Sequence, residues 1–307
     1  MTVAADSELF GHGDATDRAF INLRGATNDW QLAAKNFAER LWGTFRPHAD
    51  DHFLTEVRTD FNSRFWEMYL TCALLDGAQE RGYHVTCPKP GPDVCVESGG
   101  RRMWLEAIAA TNGMPGNPDT LVEPAPDRRI PEEKIVLRYT SAILEKYRKY
   151  NRYIQSGIVD RGDAYIIAVN KSRLAFRWAR AEVDLPRFLK AVYPIGQLEF
   201  VIDLQEPRNA RMQNRTRFAI RKANNQEVPV QTFIDASWSG LSAVICSDAD
   251  ASFSRMPLGA DFEIAYNPLA ENPVPSGLIP ACREWFSKLD GEMGELFCVP
   301  TALDSTS

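Results

Sequence analysis

Apolar and polar positions along the chain change period several times, and each change marks an element. A polar, glycine-containing stretch over residues 1–15 reads as mobile. Apolar residues then recur at helical spacing near Asp29–Thr44 and near Asp50–Asp60. A longer helix is predicted from about Asn62 to Gln79, with Phe65, Trp66, Tyr69, Leu70, Ala73 and Leu74 on its apolar side and Arg81-Gly82 ending it. The period next shortens to two. Tyr83–Cys87, Asp93–Glu97 and Arg102–Ala109 read as strands; Pro88–Pro92 separates the first two, and Ser98-Gly99-Gly100 is a hairpin turn. Asn112–Arg129 is a long proline-rich loop of the kind that is functional or disordered. Pro131 opens a helix reaching roughly Gln155, with Glu132 and Glu133 complementing its dipole. Ala164–Asn170 is a continuous apolar run, as in a strand buried on both faces. Further on, the pattern predicts a helix near Leu185–Val192, strands near Leu198–Leu204, Val228–Phe233, Ser242–Cys246 and Phe262–Tyr266, and a closing helix near Pro280–Leu289.

Such an order predicts an α/β (α+β) fold with a central mixed sheet flanked by helices. Residues 1–60 form a tail and N-terminal helices, 61–170 a core, and 171–307 a C-terminal α/β extension packed on the same domain, because no linker divides the chain. Composition adds little: 44% hydrophobic and 25% charged residues describe an ordinary globular protein. No apolar run approaches the roughly 20 residues of a membrane-spanning helix, and the N-terminus lacks a secretory signal, so a cytoplasmic protein with no membrane partner is expected. Six scattered cysteines without a CxxC pair read as reduced, buried thiols. A net charge of −6 argues against indiscriminate polyanion binding but leaves room for a local basic groove.

Candidate chemistry gathers between residues 67 and 106. Asp93 opens a strand directly after Gly91-Pro92. Glu106 stands in MWLEAIA, a strand apolar on both faces, where alternation puts Trp104 and Ile108 on its own side. An ionised carboxylate there is expensive unless a cation or strong donors compensate it. Two carboxylates on adjacent strands of a hairpin can converge, and such hard oxygen ligands suit Mg²⁺ or Mn²⁺. Glu67 on the preceding helix could add a third acid, or form a helical ion pair with Arg64.

These segments, F-N-S-R-F-W-E-M-Y-L, G-Y-H-V, G-P-D-V-C-V and W-L-E-A, resemble the core of the PD-(D/E)XK (restriction-endonuclease-like) nuclease superfamily, whose αβββαβ order they follow over about Phe61–Asn170. The resemblance implies hydrolysis of phosphodiesters, of DNA more than RNA, with Mg²⁺ or Mn²⁺ held by Asp93, Glu106 and the main-chain carbonyl of Ala107, and Glu67 as the added first-helix acid. The family's usual lysine, two residues after the second acid, is Ile108 here. The cation then has to come from the following helix, where Lys134, Arg138, Lys146 and Lys149 are candidates. Lys149 has Glu145 one turn back as a surface partner, whereas no acidic helix neighbour accounts for Lys146, which is therefore the choice for the catalytic lysine. The alternative is an inactive protein of the same fold that binds nucleic acid or a protein partner.

Pro207–Lys222 holds five arginines, one lysine and no acid. Arg211, Arg215, Arg217 and Arg221 from it, with Arg138 and Lys149, are the candidate nucleic-acid contacts. Tyr147, Tyr150 and Tyr153 read as packing residues before base-stacking ones. His48 and His52 share a helical spacing, but no third ligand suggests itself. A homodimer would suit cutting both strands.

Overall fold

The computed structural model describes residues 8–123, 130–178, 185–202, 205, 210–253, 256–290 and 293–301. Its centre is an eight-stranded mixed sheet flanked by helices, in the order β1-β2-β3-β4-β9-β10-β11-β12. Strands β1 (His84–Thr86), β2 (Val94–Ser98) and β3 (Arg101–Ala109) form an antiparallel meander. Both residues of the β2–β3 loop, Gly99 and Gly100, have positive φ (56° and 75°), the conformation a two-residue hairpin turn of matching twist demands. β3 runs parallel to β4 (Ala164–Asn170), which runs parallel to β9 (Ala243–Ser247). Antiparallel β10 (Glu263–Tyr266), its parallel neighbour β11 (Arg283–Asp290) and antiparallel β12 (Met293–Pro300) complete the sheet.

Period-two alternation sorts the sheet's side chains into two cores. Met103, Leu105, Ala107, Ile166, Ala168 and Ile245 join the N-terminal helices α1 (Arg18–Arg24), α2 (Asp29–Phe45), α3 (Phe53–Glu56) and α4 (Phe61–Arg81). Trp104, Tyr165, Ile167, Val169 and Val244 face α5 (Glu132–Ser156), α6 (Leu189–Val192) and the segment that follows. α4 is buried nearly all round from Phe65 to Leu74, wedged between α2 and the sheet, and its Trp66 indole N–H donates to the Ala168 carbonyl at 2.9 Å. On the other face, the small antiparallel pairs β5 (Ile195–Val201) with β6 (Arg211–Thr216) and β7 (Ala219–Arg221) with β8 (Glu227–Pro229) lie outside the main sheet.

Several expectations need correction. Pro280–Leu289 is not a closing helix: Cys282, Trp285, Phe286 and Leu289 do recur at helical spacing, but Arg283–Asp290 pairs with β10 on one side and β12 on the other, and ladder bonding overrides the periodicity. The helix expected over Asp50–Asp60 is the single turn α3, and that over Leu185–Val192 is the four-residue α6. The strand expected over Val228–Phe233 is the short β8 followed by a 3₁₀ turn at Thr232–Ile234. Of the residues 1–15 expected to be mobile, 1–7 lie outside the described residues, while Leu9 and Phe10 are buried with their backbone N–H groups on the Glu39 carboxylate at 3.0 Å. The Leu198–Leu204 strand begins earlier, at Ile195, and its residues 203–204 lie outside the described set, as do 207–209 of the basic segment and 124–129 of the long loop. None of the six cysteines forms a disulfide, and four of them are buried. Among the described residues no helix is long and apolar enough to cross a membrane.

Trp66 ties the two layers on the α4 face, so Trp66→Ala should remove both its packing and the bond to β4, lowering unfolding free energy by about 3–5 kcal/mol in urea titrations followed by circular dichroism.

Candidate active site

The β2–β3 ladder begins at Val94↔Leu105, so Glu106–Ala109 extend past β2 and keep only β4 as a backbone neighbour. Asp93, the residue just before β2, fills part of this gap: its carboxylate accepts the Ala107 N–H at 2.7 Å. In a strand the N–H and C=O of one residue point to the same edge, so the Ala107 carbonyl faces this same open side.

Glu106 is completely buried on the α5 face. Two lysines one turn apart on α5 reach down to it: Lys146 Nζ at 3.0 Å and Lys149 Nζ at 2.6 Å, both on the same oxygen, Oε1. The other oxygen, Oε2, is buried with no hydrogen-bond partner. Burial, and then the nearby Asp93 charge, push the Glu106 carboxyl above its ordinary pKa, while the two lysines oppose the rise. Lys149 shows the counterpart: burial works against its charge, but Glu106 outweighs that and holds its pKa above the usual lysine value. Its ammonium also lies 5.5 Å from the centre of the Tyr153 ring, whose hydroxyl donates to the Gly91 carbonyl at 2.9 Å beside Asp93.

Glu67 is buried on α4 and lies within the electrostatic range of Asp93. Its pKa is raised by burial and then by Asp93, against the pull of Arg64 and Lys89. Arg64 Nη1 lies 2.5 Å from its Oε2, so the helical ion pair considered for this residue does form; Lys89 Nζ stands 3.7 Å from Oε1. Asp93 is thus the acid that both glutamates sense. Among the described residues, no three or more His, Cys, Asp or Glu side chains are arranged as a ready metal cage. A pair of carboxylates is nonetheless what Mg²⁺ ordinarily takes from a protein, with water and substrate supplying the rest. The bare Oε2 of Glu106, the Asp93 carboxylate and the open Ala107 carbonyl fit that requirement, with Glu67 as an additional acid bound by Arg64.

The surface partner expected for Lys149 was Glu145; instead Lys149 belongs to the acidic site. The signal was present in the sequence, since positions 146 and 149 share a helix face. Lys89, which no sequence pattern singled out, also joins the site. Of the other candidate cations, Arg217 is only 13% exposed and pairs with Glu132 (3.9 Å) and Glu133 (3.4 Å), so it is not a free phosphate contact. Arg215 and Arg221 are exposed beside Glu199 (3.8 Å) and Glu227 (3.1 Å), and Arg211 is exposed on β6. Arg138 lies in a separate cleft. The tyrosines of α5 pack: Tyr147 stacks on Trp238 with ring centroids 4.3 Å apart, and Tyr150 lies 4.6 Å from Tyr165.

Comparisons of the chain with protein-family models, with curated proteins and with solved structures find no match.

An ionised carboxylate this deep depends on its lysines. Replacing both in Lys146→Met/Lys149→Met should cost roughly 3–5 kcal/mol of stability by stranding the Glu106 charge, and adding Glu106→Gln should restore most of it. Urea unfolding of the three-variant series checks this; equal stability of the double and triple variants would contradict the burden placed on Glu106.

Proposed function

We propose that this protein is a metal-dependent phosphodiesterase of nucleic acid, a DNA endonuclease before an RNA one, built on a PD-(D/E)XK-like arrangement with Glu67, Asp93, Glu106 and Lys146 as its acting residues. The observation that carries the reading is the asymmetric carboxylate of Glu106, with two lysines on Oε1 and a buried, unpartnered Oε2. An unsatisfied buried acceptor costs about 1–3 kcal/mol or more, and a metal ion held by Oε2 would remove that cost.

Asp93, Glu106 and the Ala107 carbonyl would hold Mg²⁺ or Mn²⁺, which supplies charge neutralisation at the phosphate and a bound water of lowered pKa. The chain's own contribution is positional. Asp93, fixed by the Ala107 N–H, orients the strand edge. Lys146 and Lys149 place positive charge beside Glu106, where Ile108 leaves none. Lys146, which makes the longer contact to Glu106, is the lysine assigned to the reacting water, while Lys149 has the shorter bond and the Tyr153 ring beside it. Glu67, held by Arg64, tunes the same field through Asp93.

Incubation with plasmid, single-stranded DNA and RNA in Mg²⁺ or Mn²⁺ should show metal-dependent cleavage, reduced at least ~100-fold in Glu106→Ala. Absence of metal-dependent cleavage of every substrate, or undiminished cleavage by the variant, overturns the reading. One observation favours a second reading, a nuclease-like protein that binds without turnover: Ile108 holds the usual lysine position, and both substitute lysines are already engaged by Glu106. Binding without cleavage in the same assay selects it.

Metal affinity should also depend on pH with a defined sign. Because both glutamates have raised pKa values in the folded protein, a larger share of them is protonated at mildly acidic pH, and a dication must displace those protons. Stabilisation by Mg²⁺, read as the rise in Tm between EDTA and ~10 mM MgCl₂, should therefore grow as pH increases from about 5 to 8, and shrink in Asp93→Ala. A Tm that does not respond to Mg²⁺ at any pH would count against the site.

A further inference from the structure

A cleft of about 410 Å³ opens between the loop that follows β3, α5 and the β7–β8 turn. Asn117, Pro118, Asp119, Arg138, Lys222 and Asn224 line it. Its polar atoms are not randomly disposed. The Asn117 side-chain oxygen accepts the Asp119 N–H (2.9 Å), and the Asn224 side-chain oxygen accepts the Gln226 N–H (3.1 Å). Both carboxylate oxygens of Asp119 accept the Ala223 N–H, at 3.1 and 3.3 Å. The side-chain acceptors on the walls are therefore turned toward the backbone, and the cleft's donors are the two amide nitrogens, the Arg138 guanidinium and the Lys222 ammonium.

Arg138 is the telling residue. Several partly buried arginines elsewhere carry acids within ion-pair distance: Arg64 with Glu67, Arg102 with Asp163, Arg173 with Asp60, Arg177 with Asp250, and Arg217 with Glu133. Among the described residues Arg138 has no ion pair and no hydrogen bond, and its Nε is buried without a partner. Lys222 has no ion pair among them either. Burial pulls the Arg138 pKa down, with the Asp119 charge opposing. The loop is shaped to keep the guanidinium there: at Gly113 (φ +102°) a Cβ would fall 2.6 Å from Arg138 Nη1. A half-buried cation with a second cation and two amide donors beside it, and only the Asp119 charge to offset them, suits a bound anion.

We infer that this cleft is a phosphate-binding site, in which Arg138 and Lys222 grip a phosphate group with the Asn117 and Asn224 amides completing its shell. The phosphate comes either from a nucleic-acid strand or from a free nucleotide, and the site does not depend on hydrolysis at Glu106. Arg138 and Lys149 lie three turns apart on one side of α5, about 16 Å along its axis, so a strand seated at Glu106 can reach the cleft within a few nucleotides.

Binding is measured in EDTA with three probes: a fluorescein-labelled twelve-nucleotide single-stranded DNA by anisotropy, and AMP and inorganic phosphate by calorimetry, each against wild type, Arg138→Gln and Lys222→Ala of verified fold. At least one probe should bind wild type, lose about tenfold in affinity in Arg138→Gln and lose less in Lys222→Ala, with the oligonucleotide's salt slope falling by about one for each lost contact. Dependence on these residues with the oligonucleotide alone assigns the phosphate to a strand; dependence with AMP or inorganic phosphate assigns it to a free ligand. If no probe binds, or if wild type and both variants bind alike, the inference is overturned. Because no metal is present and no cleavage is read, neither outcome is confused with failure of the proposed hydrolysis.

Discussion

The carboxylate of Glu106 joins the sheet to α5 from inside the protein, and the architecture around it follows from the need to accommodate that charge. β3 outruns β2 by several residues, so the acid sits where the sheet is open on one edge, and Asp93 caps the exposed ladder position with its own side chain. α5 lies over the strand with two lysines spaced three residues apart, close enough to meet one oxygen. As a stabilising device this would be a poor choice. A buried ion pair at best roughly balances its desolvation, and well-packed apolar residues would often serve as well or better. The arrangement becomes intelligible when its asymmetry is considered, because all of the compensation is on Oε1 and the energetic debt of Oε2 is left open.

How much of this was legible in the sequence depends on whether the deciding interaction was local. Glu106 announced itself because a lone acid in a two-sided apolar strand violates a strong rule, and Gly99-Gly100, Pro131 and the apolar run of β4 marked their elements by equally local chemistry. Lys149 was misread for the opposite reason. An exposed i, i+4 pair with Glu145 is worth only about 0.3–0.5 kcal/mol, whereas leaving a buried carboxylate without its cation costs several times that. The long-range partner wins; the spacing of Lys146 and Lys149 puts them on one helix face but does not reveal the acid they share. Arg217 follows the same logic, drawn from an apparently free basic run to Glu132 and Glu133 at the start of α5.

The closing strand β11 is a different kind of failure. Its apolar spacing fits a helix, but its register places Trp285 opposite Cys298 and Phe286 opposite Phe297, and β10 holds its other edge. Glu284 and Trp285 are both buried, so each face of this strand is covered and the alternation that would have identified it is erased. Short apolar segments buried on two sides are where periodicity loses its power to distinguish helix from strand.

The distribution of cations bears on how an acidic protein could hold a polyanion at all. With a net charge of −6, long-range attraction is weak, and affinity has to come from cations that are not already neutralised. The basic strand β6 is exposed but partly countered by Glu199, and Arg221 is countered by Glu227. α5, by contrast, carries Arg138 in its walled cleft with no acid at ion-pair distance among the described residues, while Lys146 and Lys149 further along the same side are engaged by Glu106. Preorganised charge in a partly desolvated setting interacts more strongly than the same charge on a mobile surface side chain. Under the proposed function, the helix that neutralises the buried acid would also be the one that presents Arg138 to an approaching phosphate chain.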